Sequence, residues 1–188
     1  MELTIFTLSS ADGKTLNGEI PMKLKTLLIK TLVSSAIISA SITAVAGESS
    51  LKVAVIKDST DSKSVIKGNY SEVIANLASK NQDFEESTTL CVAYLKSNNE
   101  EKSETACTAA ISSAQSIETT GKKARYLQSI SYNNRAVARF LKDDMQGAMS
   151  DLAAAKSLDD NELVQKNMLL INNNMELLGE TSTSTYAE

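Results

Sequence analysis

The sequence predicts an all-α fold made of antiparallel helix pairs. Apolar or small residues recur every three or four positions from about residue 64 onward, as they do along one face of a helix. Short polar segments separate these stripes, as expected for tight turns between helices. Neither a βαβ pattern nor a glycine-rich loop occurs in the sequence, which argues against a parallel α/β fold.

Five stripes define the predicted helices, of which the third runs from about residue 122 to 142. Asp159, Asp160 and Asn161 break the chain before the last helix, and we expect Gly179 to end it. The stripes are Phe84, Thr88, Cys91 and Leu95; Ser103, Cys107, Ala110 and Ala114; Leu127, Ile130, Asn134, Val137 and Leu141; Met145, Ala148, Leu152 and Ala155; and Val164, Met168, Ile171, Met175 and Leu178.

Residues 22–46 have the features of a secretory signal. Lys23 and Lys25 follow a methionine, residues 32 to 42 are mostly apolar, and Ala44 to Ala46 form a small-residue cleavage site before Gly47. An uncleaved anchor is the alternative, but the apolar stretch is short and diluted by serines. We therefore expect a periplasmic or secreted protein with no integral membrane span after cleavage.

The signal divides the chain into segments of different expected character. Because a signal begins at the N-terminus, residues 1–21 are interpreted as a spurious or non-native extension. Residues 47–63 alternate at Leu51, Val53 and Val55, which fits a short strand or an extended, flexible lead-in. We expect the lead-in, because no partner strand is evident. Residues 64–179 form the helical domain, and the Ser/Thr-rich residues 180–188 form a disordered tail.

An internal repeat is the most specific motif. Residues 132–162 read YNNRAVARFLKDDMQGAMSDLAAAKSLDDNE, with large and small residues in the order that resembles a tetratricopeptide repeat (TPR). Tyr132 takes the first large position and Ala136 the small position of the first helix. The turn and second-helix positions are taken by Asp144, Ala148, Leu152 and Ala155. The segment departs from the family at Asp143, where glycine is usual, and at Asp160, where proline is usual.

Two weaker copies precede this segment, at residues 88–114 and, as a fragment, at 67–74. Their turns place Gly68, Asn98 and Asp143 in equivalent positions, at separations of 30 and 45 residues instead of a steady value of about 34. The resemblance implies a short, irregular TPR-like α-solenoid with the last helix as its cap. The alternative is an unrelated helical bundle.

The resemblance also implies a location for partner binding. The concave face of the first helices commonly binds peptides in this family, and Asn133, Val137 and Phe140 would face that groove. A basic stripe accompanies it, formed by Arg135, Arg139 and Lys142. This stripe could receive an acidic partner, or it could pair internally with Asp143, Asp144 and Asp151.

The sequence shows no catalytic, metal or cofactor site. It contains two cysteines and no histidine, which excludes the usual zinc spacings. The paired acids at helix boundaries suit helix capping. The net charge is −4, which opposes non-specific binding to nucleic acid or to anionic lipid. We expect no enzymatic activity.

These observations favour an exported protein–protein interaction adaptor that binds a peptide or protein in the cell envelope. A periplasmic holdase for unfolded envelope proteins is the alternative, and it should expose a broad apolar patch. Because the array is short, two copies of the chain could also form a homodimer through an uncapped end.

Cys91 and Cys107 are expected to form a disulfide. The repeat alignment places them on facing helices, and an exported protein encounters oxidising conditions; two separate buried thiols are the alternative. Thiol titration of the denatured, unreduced protein should detect no free thiol. Two free thiols would contradict the bridge.

Overall fold

The computed structural model describes residues 3–8, 50–117 and 121–183. The predicted signal at 22–46, most of the extension at 1–21 and residues 184–188 lie outside the described residues. The elements, in chain order, are β1 (Leu3–Leu8), β2 (Leu51–Ile56), α1 (Thr60–Ile66), α2 (Tyr70–Leu77), α3 (Phe84–Lys96), α4 (Glu100–Gln115), α5 (Lys122–Leu141), α6 (Met145–Leu158) and α7 (Glu162–Thr183).

The helices form consecutive hairpins, and the predicted helical class is confirmed in this coarser sense. α1 packs on α2, α3 on α4 and α5 on α6, while α4 also contacts α5 and α7 lies against α5 and α6. Within the described residues, no helix is both long enough and apolar enough to cross a membrane. A two-stranded sheet accompanies the helices, so the fold is not purely α.

The three hairpin turns share one backbone geometry. Gly68, Asn98 and Asp143 all have left-handed φ values, of 89°, 55° and 61°. In each turn the next N–H bonds to a carbonyl five residues earlier, at 3.0 Å for Asn69, 3.0 Å for Asn99 and 2.9 Å for Asp144. This is the hydrogen bond of a Schellman-type helix end. The predicted turn positions are therefore confirmed, together with their unequal spacing.

A disulfide joins the second hairpin. Cys91 on α3 and Cys107 on α4 have their Sγ atoms 2.07 Å apart and their Cα atoms 4.7 Å apart, which confirms the predicted pairing. Both residues are fully buried. A bridge that closes a loop of this size stabilises the fold by about 3 kcal/mol, chiefly by restricting the unfolded chain.

The expectation of an unpartnered, extended lead-in at 47–63 is wrong. Leu51–Ile56 is a buried strand that pairs antiparallel with Leu3–Leu8, from Leu3 opposite Ile56 to Leu8 opposite Leu51. The partner lies in the segment interpreted as a non-native extension, on the far side of the predicted signal, so no local pattern revealed it. The helices also begin earlier than expected, because Ser59 caps α1 by accepting from the Ser62 N–H.

Gly179 does not end the last helix, contrary to expectation. α7 continues to Thr183 and so includes the first residues of the predicted disordered tail. The physical reason is that one glycine costs a helix only about 1 kcal/mol relative to alanine, and no proline follows it.

The left-handed turn at Asp143 generates a stability prediction. A side chain in this backbone region costs about 1–2 kcal/mol that glycine avoids. Asp143→Gly should therefore raise the free energy of unfolding by about 1 kcal/mol, measured by urea denaturation. The neighbouring Asp144 accepts from the Gly147 N–H at 2.9 Å, so Asp144→Ala should lower it by about 1 kcal/mol. Loss of stability in Asp143→Gly would contradict the assignment.

Candidate partner-binding groove

The strand β2 lies in a groove formed by the first helices of the second and third hairpins and by α7. It contacts α3, α5 and α7, and its side chains alternate between two apolar clusters, as they must along a strand. Leu51, Val53 and Val55 belong to the larger cluster, whereas Ala54 and Ile56 belong to a smaller one. Both faces of the strand are therefore buried.

Asparagine side chains bind the inner edge of β2. The Ala54 N–H donates to Asn134 Oδ1 at 3.0 Å, and Asn134 Nδ2 donates to the Ala54 carbonyl at 2.7 Å. Asn167 forms the same pair of bonds with Lys52, at 2.8 and 2.6 Å. Each amide thus satisfies both main-chain groups of one strand residue, as a neighbouring strand would.

Asn133 connects these contacts. Its Nδ2 donates to the Lys52 carbonyl at 3.1 Å, and its Oδ1 accepts from Asn167 Nδ2 at 2.8 Å. Asn133, Asn134 and Asn167 are at most 1% exposed, so water cannot replace the bonds they make. We call these three residues the asparagine row.

The three residues predicted to line the groove are placed as follows. Asn133 contacts an extended backbone, but that backbone belongs to β2 of the same chain. Val137 and Phe140 are buried in the cluster that contains Leu51 and Val53. None of the three is accessible to an outside partner while β2 occupies the groove.

The outer edge of β2 is paired with β1. Main-chain groups of successive strand residues point to opposite edges. Because Lys52 and Ala54 bond to the asparagine row, the groups of Leu51, Val53 and Val55 point the other way, toward β1. Every edge of β2 is therefore used, by side chains on one side and by a strand on the other.

Lys96, the last residue of α3, contacts β1 directly. Its Nζ donates to the Thr7 carbonyl at 2.8 Å and lies 5.8 Å from the centroid of the Phe6 ring, within range of a cation–π interaction. Burial lowers the pKa of Lys96 below its usual value. The residue thus binds both a main-chain group and an aromatic side chain of the paired strand.

The predicted basic stripe is neutralised by acids of the same chain. Arg135 forms two hydrogen bonds with Asp151, at 2.8 and 2.7 Å, and these bonds raise the pKa of Arg135. Arg139 lies 3.0 Å from both Asp151 and Glu104, and Lys142 lies 2.8 Å from Glu104. The internal pairing with Asp151 was among the sequence alternatives, whereas Glu104 was not.

Glu104 is the acid that joins two hairpins. It lies on α4, and its partners Arg139 and Lys142 lie on and at the end of α5. Their hydrogen bonds lower the pKa of Glu104, so the carboxylate stays charged. The ion pairs hold the helices around the groove together and do not form a free basic surface.

The sequence did not predict that Asn134 binds a strand, and it gave no indication that Asn167 takes part. The available signal was a polar residue in an apolar stripe, since Asn134 stands between Ile130 and Val137. A buried amide needs hydrogen-bond partners, but the sequence does not say that a distant strand supplies them.

These features define a protein of stacked helical hairpins whose groove holds an extended strand by its backbone. Within the described residues, no group of three His, Cys, Asp or Glu side chains is placed to bind a metal ion. No family model, curated protein or solved structure matches the chain. The groove is therefore interpreted from its own geometry.

The row generates a quantitative prediction. Asn134→Ala leaves the buried N–H and carbonyl of Ala54 without partners, at a cost of about 1–3 kcal/mol for an unsatisfied group. We expect the free energy of unfolding to fall by about 3 kcal/mol, measured by urea denaturation. Asn76, an exposed asparagine of α2, is the matched control, and Asn76→Ala should change little. Equal effects of the two substitutions would contradict the role of the row.

Proposed function

We propose that the chain is an exported adaptor with TPR-like repeats that binds an extended segment of a protein partner in the cell envelope. The observation that carries this proposal is that the asparagine row holds β2 as a fixed strand whose other edge pairs with a second extended segment, β1. Main-chain pairing along a strand edge selects an extended conformation with little dependence on side chains. The helical array is thus built to hold an extended polypeptide.

The repeated hairpin geometry supports the TPR-like part of the proposal. Three hairpins use the same left-handed turn and stack in chain order. α7 lies against the last hairpin, where a terminal helix would cover an otherwise exposed apolar face. In such arrays the first helices of successive hairpins line one shared surface, and α3 and α5 both contact β2.

The disulfide supports the export part of the proposal. A bond between Cys91 and Cys107 fits an oxidising, non-cytoplasmic compartment, because cytosolic proteins keep their thiols reduced. It agrees with the secretory signal predicted at 22–46. Its position matters as well, because it holds together α3, which contacts the strand, and α4, which carries Glu104.

The burial pattern favours an adaptor over a holdase. Among the residues whose burial is described, the large apolar side chains that are exposed are Ile5, Leu169 and Met175. They lie singly on β1 and α7, whereas a holdase needs a broad contiguous apolar patch. We therefore propose binding of a defined segment.

Site-specific crosslinking in living cells tests the adaptor function. A photo-crosslinking amino acid in place of Ser97, an exposed residue next to Lys96, should yield one discrete adduct, identifiable by mass spectrometry. The same amino acid in place of Ala109, exposed on α4, is the control and should not yield it. Absence of an adduct at Ser97 would overturn the proposal, and a ladder of many adducts at both positions would indicate a holdase instead.

A further inference from the structure

We infer that the outer edge of β2 is the edge on which the partner docks as an added antiparallel strand, and that β1 occupies this edge as an internal substitute. This inference rests on the proposed function and specifies where and how the partner binds. It starts from the difference between the two edges of β2. The inner edge is fixed by buried side chains, whereas the outer edge is covered only by a strand from far away in the sequence.

The first argument is that β1 is removable and β2 is not. The residues of β2 apart from Lys52 are at most 4% exposed, and the hydrogen bonds of the row to Lys52 and Ala54 do not involve β1. β1 is half-buried at best, with Ile5 51% exposed. Displacement of β2 would uncover most of two apolar clusters, whereas displacement of β1 uncovers one strand edge and only those parts of the clusters that Leu3, Phe6 and Leu8 cover.

The second argument comes from the order of segments along the chain. The predicted signal at 22–46 lies between β1 and β2 in sequence. The translation start at Met22 and the cleavage before Gly47 that the sequence predicts would each leave a mature chain without residues 3–8. The N–H and carbonyl groups of Leu51, Val53 and Val55 would then have no strand opposite them. An open strand edge with apolar neighbours pairs readily with another extended segment.

The contacts of β1 define the chemistry of the partner segment. Phe6 and Leu8 pack against the larger cluster and Leu3 packs against the smaller one, while Ile5 and Thr7 are exposed. The partner strand should therefore be about six residues long, the length of β1, with apolar residues at alternate positions. Lys96 adds selectivity, because its ammonium group favours an aromatic side chain at the Phe6 position and bonds to the next carbonyl.

A competing occupant is a second copy of this chain. Two β2 edges related by a two-fold axis would pair with each other and produce a dimer. The partner strand is favoured because Lys96 is already placed to bind an aromatic residue at the position opposite Val53, where a second β2 offers only aliphatic side chains in antiparallel register. Sedimentation of the variants described below separates the two cases.

The test uses the full-length chain and a labelled peptide with the sequence of residues 1–10, MELTIFTLSS. Phe6→Pro removes an N–H that points at β2 and should detach β1, because proline cannot donate to a strand ladder. Fluorescence anisotropy should then show peptide binding at least about tenfold tighter than to the unsubstituted chain. If Phe6→Pro impairs folding, the double substitution Phe6→Ala with Leu8→Ala weakens β1 without altering its backbone.

Two matched controls identify the binding mode. N-methylation of the peptide at Phe6 blocks an N–H that faces β2 and should abolish binding, whereas N-methylation at Ile5 blocks an outward N–H and should be tolerated. Lys96→Met, combined with Phe6→Pro, should weaken binding at least about threefold. Equal binding by the substituted and unsubstituted chains, equal effects of the two N-methyl groups, or dimerisation of the Phe6→Pro chain would overturn the inference.

The outcomes also separate this inference from the proposed function. If the partner crosslinks at Ser97 but excess peptide does not displace it from the Phe6→Pro chain, the docking edge is wrong and the adaptor function stands. If the peptide binds as expected but no adduct forms at Ser97 in cells, the edge binds β1 alone and the adaptor function fails.

Discussion

The fold depends on the binding of a strand by three asparagine side chains. β2 brings apolar side chains into the space between the helices, and this is favourable only if its main-chain groups are also satisfied. Lys52 and Ala54 cannot bond to water inside the groove, and helices have no free backbone groups to offer along their length. Asn134 and Asn167 supply the missing partners, so the hydrophobic clusters on both faces of the strand exist because these amides do.

The helical frame is arranged to keep those amides in place. The disulfide fixes α3 against α4, and the carboxylates of Glu104 and Asp151 bind the cations of α5 from both neighbouring helices. Asn133 and Asn134 are carried by α5, so every contact that restrains this helix also restrains the row. The ion pairs therefore help to hold the asparagine row in place, although the charged residues and the asparagines lie on different faces of α5.

The helices from α3 to α7 and the hairpin turns were predictable because their causes are local. Periodic apolar residues, capping side chains and the positions of Gly68, Asn98 and Asp143 all act within a few residues of each other. The Cys91–Cys107 disulfide was also predictable, since the repeat alignment places the two cysteines on adjacent helices. The strand pair was not predictable, because Leu3–Leu8 and Leu51–Ile56 are far apart and only their joint placement gives either one a partner. The interpretation of Asn134 failed for the same reason: its partner is 80 residues away.

The sequence separation of the groove contacts has a consequence for the order of folding. The bonds to Ala54 and Lys52 span 80 and 115 residues, so they close only after α5 and α7 exist, and such distant contacts form late. If the protein is exported as proposed and crosses a membrane with its N-terminal end first, β2 reaches the far side before α3, α5 and α7, the helices that contact it in the folded protein. Until those helices follow, they cannot cover its apolar side chains, so the nascent chain carries an exposed strand that the folded protein encloses.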